Sequence, residues 1–225
     1  MVEITNVKVH DLKQSIIASG YAMRTEPYNY DEEGLDMIKH IERVKNLVKA
    51  GGGSGHPNFR TGILVSFDIK YPQYFSLELQ RYHWIQIVTS QSKMHRLLKI
   101  DIDKACNKYV DERSIEVVND LIYTYNLIAN EAKDRNFRKV PFELELRSGE
   151  IITSYTKDDA LYSIWMQILS SCPLGLELTM RVSTNYEQLA TIYRQRDTHK
   201  LKEDWGAFCK FIRSLPFAKD LIICK

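Results

Sequence analysis

The stretch "RDTHKLKEDW", residues 196–205, joins two amphipathic patterns through a charge, a hydroxyl and an imidazole, where surface turns ordinarily carry Gly, Pro, Asn or Ser. Arg196 lies seven residues after Leu189, on the buried side of its helical pattern, and a cation placed there needs an anionic partner. Two partners are open: Asp197 within the chain, or a ligand phosphate, which a planar guanidinium grips through two parallel hydrogen bonds. A second stretch, "QRYHWIQIVTSQSKMHR", residues 80–96, brackets Thr89, Gln91 and Ser92 with Arg81, His83, Lys93, His95 and Arg96. Such a mixture of cations and neutral donors suits a phosphate or a pyrimidine edge, and it equally describes a solvated helix end and loop. A third, "AGGGSGHPN", has glycines that let backbone N–H groups approach an anion. It lacks the Gly-Lys-Ser/Thr ending of a phosphate loop and precedes a strand, so it reads first as a helix stop with His56 just beyond. No Ser-His-Asp order, His-x-x-x-His pair or Gly-x-Gly-x-x-Gly pattern supports a hydrolase, a metal site or a dinucleotide fold.

The chain behind these stretches has 225 residues, with 31 Lys plus Arg against 29 Asp plus Glu and a formal net charge of +2. That balance offers no field to gather polynucleotide or membrane phosphate, so neither is an expected partner, while a small anion is admissible. Hydrophobic residues make up 44% of the chain, enough for a core in an ordinary globule. Cys106, Cys172, Cys209 and Cys224 are scattered without a Cys-x-x-Cys pair, which speaks against structural zinc and a disulfide scaffold. The opening "MVEITNVKVHDLK" has no basic stretch leading into an apolar run, and no segment approaches about 18 apolar residues. A cytoplasmic protein is expected.

The elements that must position these residues follow from periodicity. "ITNVKV" and "ILVSFDIKY" alternate as strands, the second with Val65, Phe67 and Ile69 on one face. Leu35, Ile38, Ile41, Val44 and Leu47 recur at three-residue steps and, with Met37 and Val48, predict a helix stopped near Ala50 by glycine. "PQYFSLELQRYHW" predicts a helix opened by Pro72, with Phe75, Leu79 and Tyr82 inward. Ile115, Val118, Ile122, Tyr125 and Ala129 mark the seam of a long helix. Residues 142–155 read as a hairpin turning at Ser148-Gly149. Leu161, Ile164, Trp165, Ile168 and Leu169 form another buried face that ends at Pro173. Thr184 with Glu187 suggests a capping box before a helix carrying Tyr186, Leu189, Ala190 and Tyr193, and Trp205, Phe208, Cys209 and Ile212 mark the last helix. The sum is one α+β domain over residues 1–225, interrupted by a hairpin near 141–156.

Taken in order, these pieces resemble the flavin-dependent thymidylate synthase family, ThyX. The family's Leu-Pro-Leu segment, its Thr-Val-Asn-Ala-Arg-Ser-Leu helix start, its Leu-Arg and its "SHAQWEI" stretch are similar to "CPLGLEL", "STNYEQL", "YRQR" and "DTHKLKEDW" here, with one residue fewer after the arginine. By that resemblance Asn185 falls on a flavin contact and Arg196 on a nucleotide contact. "GHPNFRTG" resembles the family's "GHETPFEH", placing His56 and Asn58 on flavin-binding positions, and "YAMRTEP" adds Thr25. The signature RHRxxSxNExSxRY aligns without a gap to "RYHWIQIVTSQSKM", retaining Arg81 and placing His83, Thr89, Gln91 and Lys93 where the family has arginine, glutamate, serine and arginine. A one-residue slip instead sets His83 on the motif histidine and Ser92 on the late serine. Glu187 and Thr191 replace a flavin-contacting arginine and asparagine.

The resemblance implies a small, mostly antiparallel sheet with a long-helix bundle. It also implies reductive methylation at C5 of dUMP or a related pyrimidine deoxynucleotide, with FAD as cofactor, methylenetetrahydrofolate as one-carbon donor and NADPH as reductant. Arg196, Gln91 and Ser92 would act at the reacting base, Thr25, His56, Asn58, Arg81, His83 and Asn185 would hold the flavin, and Lys93, Arg181 and Arg196 the nucleotide. A homotetramer with shared sites is the implied assembly, and the apolar faces at 115–129 and in "LYSIWMQIL" supply more surface than one chain is expected to bury. The altered signature also admits a catalytically inactive ThyX-like protein that keeps the scaffold for binding or interaction.

Overall fold

The computed structural model describes residues 1–34, 37–51, 54–131, 137 and 139–223. In chain order, the first elements are β1 (Glu3–His10), α1 (Leu12–Ala18), α2 (Tyr30–Glu33), α3 (Met37–Lys49), α4 (Phe59–Gly62), β2 (Leu64–Pro72), α5 (Gln73–Leu79) and β3 (Gln86–Ser90). Then come α6 (Lys93–Arg96), α7 (Ile102–Ala105), α8 (Glu112–Asn130), β4 (Phe142–Glu145), β5 (Ile151–Ser154) and α9 (Lys157–Ser171). The chain ends with β6 (Glu177–Asn185), α10 (Tyr186–Arg196), α11 (Lys202–Ser214) and α12 (Ala218–Leu221). They form two compact units, Met1–Ser90 with Leu178–Lys225, and Gln91–Glu177. No helix among the described residues is long and apolar enough to cross a membrane.

The first unit is built on a four-stranded sheet in the order β1-β2-β6-β3, with β1/β2 and β3/β6 antiparallel. Alternation decides its faces: Val65, Phe67, Ile69 and Tyr71 of β2 and Leu178, Met180, Val182 and Thr184 of β6 are buried, and the residues between them are not. The inward face meets α11, where Phe67 lies 6.0 Å from Phe208 and 4.8 Å from Phe211 by ring centroids, and Phe75 of α5 lies 4.6 Å from Trp205. Each such aromatic contributes about 1.5–3 kcal/mol through burial.

Three local expectations are corrected. The cap of α10 is Asn185, whose side chain accepts from Gln188 N at 2.9 Å; Thr184 lies within the strand with its hydroxyl buried, and Glu187 turns to Arg60. An asparagine in extended backbone one residue before the helix fits the cap position directly. On α3 the buried row is His40, Val44 and Val48, while Ile38 is 74% exposed; Leu35 lies outside the described residues. Three-residue steps drift around a helix faster than four-residue steps, so a stripe read by threes leaves the buried face. Finally, α5 stops at Leu79, and Tyr82 is buried from the turn that follows.

In the second unit α8 packs on α9. Val118 is buried along the predicted seam, with Ile115, Ile122, Tyr125 and Ala129 half-buried, and α9 answers with Ala160, Ile164 and Ile168. Thr156 caps α9 by accepting from Asp159 N at 3.1 Å, and the helix stops before Pro173. The hairpin β4/β5 pairs Phe142 with Ser154 and Glu145 with Ile151, and its turn needs Gly149 because φ there is +81°. Val117, Tyr123, Leu127, Tyr162 and Met166 stay exposed on α8 and α9.

Candidate functional site

A cleft of about 500 Å³ opens between α1, α3 and α4 in the first unit. Gly55, at φ +77°, reverses the chain in a left-handed conformation that glycine tolerates, and the following helical turn His56–Asn58 brings both predicted side chains to the cleft wall. Pro57 is buried between them as an anchor, and Thr61 Oγ1 donates to Asn58 O at 2.7 Å. Gly62 lets α4 approach α1, since a Cβ there would lie 2.6 Å from Ser15 Oγ. Ser15, Ser19, His56, Asn58 and Thr61 offer hydrogen bonds, Ala18, Ala22, Leu47 and Phe59 offer apolar surface, and among the described residues the lining holds no Lys, Arg, Asp or Glu. Thr25 is exposed beyond the turn that contributes Ala22 and is not part of the lining.

Asn185 is buried as the cap of α10. Its neighbour Glu187 accepts from Nε of the buried Arg60 at 2.6 Å, and Arg60 also donates to Leu221 O at 3.0 Å. Gln188 accepts from Trp84 N at 3.1 Å, so the first turn of α10 is tied to the segment before β3.

Arg196 has an internal partner, and it is neither of those open from sequence. Its Nη1 lies 3.0 Å from Oε2 of Glu78 on α5, its Nε donates to Tyr82 Oη at 2.6 Å, and its guanidinium sits 4.6 Å from the Trp205 ring centre. Trp205 Nε1 donates to the same Glu78 oxygen at 2.8 Å, and His199 Nε2 is 3.6 Å from it. Asp197 instead pairs with Arg213. The polar turn at 196–201 is thus the edge of a cation, carboxylate and indole network over α5, α10 and α11. Sequence reasoning missed Glu78, although Phe75, Glu78, Leu79 and Tyr82 share the i, i+3, i+4, i+7 spacing of one face.

The remaining predicted residues are dispersed. Arg81, His83 and Trp84 are exposed, with only Tyr82 and Ile85 turned inward, and all of β3 is exposed. In the second unit Gln91 is exposed, Ser92 and Lys93 are half-buried, and Ser92 precedes α6 without a side-chain cap bond. Arg181 lies on the sheet face opposite the aromatic core. There it donates to Asn6 O and Asp68 Oδ1 at 3.0 Å and to Ser66 Oγ at 3.1 Å. Hydrogen bonds from Asn6 and then Arg181 hold the Asp68 carboxyl below its ordinary range. Of the predicted set, His56 and Asn58 share this cleft.

No protein-family model matches the chain, and no curated protein matches it in sequence. Solved structures do. The flavin-dependent thymidylate synthase ThyX from Helicobacter pylori, complexed with FAD and dUMP, aligns over 98% of this chain and 98% of its own, with a TM-score of 0.62 at 12% identity. The fold is that of ThyX. A second structure of the Helicobacter pylori ThyX with FAD and dUMP aligns over 99% of this chain and 98% of its own, with a TM-score of 0.57 at 13% identity. The UMP/dUMP methylase PolB from Streptomyces cacaoi, bound with 5-Br dUMP, covers 95% of this chain and 88% of its own, with a TM-score of 0.51 at 11% identity.

On this ThyX fold, the cleft fits the uncharged portion of a flavin nucleotide. Asn58 can donate to a ring edge, the hydroxyls of Ser15, Ser19 and Thr61, whose protons go to Asp11, Ile16 O and Asn58 O, can accept from a ring N–H or sugar hydroxyl, and Phe59, Leu47 and the two alanines can cover a ring face. A pyrophosphate finds no Lys or Arg among the described residues of that lining, and the cation nearest in sequence, Arg60, is committed to Glu187.

Proposed function

We propose that the chain is a divergent ThyX-like enzyme that transfers a one-carbon unit to C5 of a pyrimidine deoxynucleoside monophosphate, dUMP or a related nucleotide. The observation that carries this reading is the convergence of His56 and Asn58 in one cleft, on a fold shared with two kinds of dUMP-binding methylating protein. His56 and Asn58 hold FAD, aided by Asn185, Thr25, Arg81 and His83. When bound, the flavin supplies reducing equivalents and relays the one-carbon unit, with methylenetetrahydrofolate as donor and NADPH as reductant. The protein's own part is positioning. Lys93, Arg181 and Arg196 hold the nucleotide, and Gln91, Ser92 and Arg196 orient and polarise the base.

In this reading the site is completed by other copies in a cytoplasmic homotetramer. Support comes from the exposure of Arg81, His83, Trp84 and β3, and of Val117, Tyr123, Leu127, Tyr162 and Met166. One chain leaves these site and helix residues in water, and symmetric association would cover them.

A second reading has its own observation. Glu187 occupies Arg60, and Glu78 occupies Arg196, so two cations that could serve phosphates are neutralised within the chain. That arrangement favours a scaffold retained for binding or interaction without catalysis. The absorption spectrum of purified protein with added FAD, followed by exchange of the C5 hydrogen of dUMP, separates the two. A bound-flavin spectrum with C5 exchange supports the enzyme; protein that takes up no flavin and exchanges nothing supports the scaffold.

A further inference from the structure

Behind the cleft, α3 carries a histidine whose ring nitrogens are both engaged. His40 is 1% exposed; Nδ1 lies 2.9 Å from Nη2 of Arg43 and Nε2 lies 3.0 Å from Oε2 of Glu33. A guanidinium can only donate, so Nδ1 offers its lone pair and the ring proton sits on Nε2, facing Glu33. The same Arg43 reaches across to the end of α1. Its two Nη2 hydrogens are shared among His40 Nδ1, Ile16 O and Ile17 O, the two carbonyls at 3.0 Å each, and its Nε donates to Ser19 Oγ at 3.2 Å. Ser19 Oγ donates onward to Ile16 O at 2.6 Å. Gly20 belongs to this arrangement, because a Cβ there would lie 2.1 Å from Tyr28 Oη and 2.8 Å from Arg43 Cζ. Ala18 and Ser19, at the end of α1, form the cleft wall together with His56 and Asn58.

We propose that His40 is a proton-operated latch on this wall: a proton on Nδ1 sets two donors face to face, Arg43 leaves the imidazole, its hold on Ile16, Ile17 and Ser19 fails, and the cleft loosens in acid. Its effect on flavin rests on the flavin reading of the cleft. The groups facing the ring are Glu33 of α2, itself joined by Arg24 and Lys39, then Arg43 of α3, and the Tyr28 ring at 6.0 Å. Burial first, and the Arg43 charge second, lower the His40 pKa below its ordinary 6.5, against the opposing pull of Glu33. The stabilisation from neutral His40 is therefore complete above 6.5, where the opened chain is also neutral, and is lost as pH falls toward the lowered folded value.

The full chain tests this. Ring nitrogen chemical shifts are expected to report the Nε2–H tautomer at neutral pH, with His40 staying neutral to below its ordinary 6.5. Amide exchange over Ile16–Ala22, corrected for intrinsic rate, should speed about tenfold per pH unit below about 6.5 until folded His40 itself titrates, and FAD affinity should fall in parallel. His40→Gln, which offers Arg43 a carbonyl and Glu33 an N–H without titrating, should flatten the profile. Arg43→Met should give fast exchange of Ile16–Ala22 at every pH, and this arm stands even if His40→Gln does not fold. An Nδ1–H tautomer, an ordinary His40 titration, or a wild-type pH slope in His40→Gln overturns the latch. Failure to bind FAD at any pH overturns the flavin reading alone, since the tautomer and exchange measurements need no flavin.

Discussion

Glu78 Oε2 and Arg196 Nη1 are 3.0 Å apart, and the carboxylate oxygen also accepts the indole N–H of Trp205 at 2.8 Å. The arginine side chain is 14% exposed and the glutamate 29%, so water screens this pair only in part. Glu78→Ala should lower stability by about 1–3 kcal/mol, through the unpartnered cation and indole it leaves behind. Asp197→Ala, which breaks the more exposed Arg213 pair, should cost less than about 1 kcal/mol. Urea unfolding of both variants gives the comparison; equal losses would mean the Glu78 pair contributes no more than a surface pair.

Arg196 keeps a ligand role only if its remaining donors can reach a phosphate past Glu78. Calorimetry should then show Arg196→Ala binding a pyrimidine deoxynucleoside like the parent while losing on the order of 2 kcal/mol on the 5′-monophosphate. Equal losses on both, or none on either, would make Arg196 a structural cation.

His56 and Asn185 separate fold from ligand. His56→Ala removes a cleft residue outside the core and should weaken FAD retention with little change in melting temperature. Asn185→Ala also removes the cap of α10 and should cost about 1 kcal/mol of stability as well. Unchanged flavin affinity in both would remove them from the flavin site.

Thiol chemistry offers a test that needs no ligand. Burial, followed by the Cys172 thiol, raises Cys106 from 9.0 to about 11, and burial chiefly raises Cys209 from 9.0 to about 11. At mildly alkaline pH each holds roughly a hundredth of the thiolate of an unperturbed thiol, so alkylation in the native protein should be about two orders of magnitude slower than after unfolding. Mass spectrometry of labelled peptides reads this directly; fast native labelling of either residue would show that its thiol is not sheltered.

What the sequence by itself determined is what period and short-range chemistry encode. Val65, Phe67 and Ile69 alternate because a strand has period two, the 115–129 seam follows the helical period, and Ser148-Gly149 turns because glycine tolerates φ +81°. His56 and Asn58 reach one cleft because they lie two residues apart in one turn. What only the tertiary structure decided are the long-range partners. Arg196 meets Glu78 across 118 residues, Arg60 meets Glu187 across 127, and Arg43 meets the carbonyls of α1 across 26 and 27. A buried charge requires a partner, and sequence shows that requirement; which carboxylate satisfies it depends on how α5, α10 and α11 pack around Trp205, a geometry no local period contains.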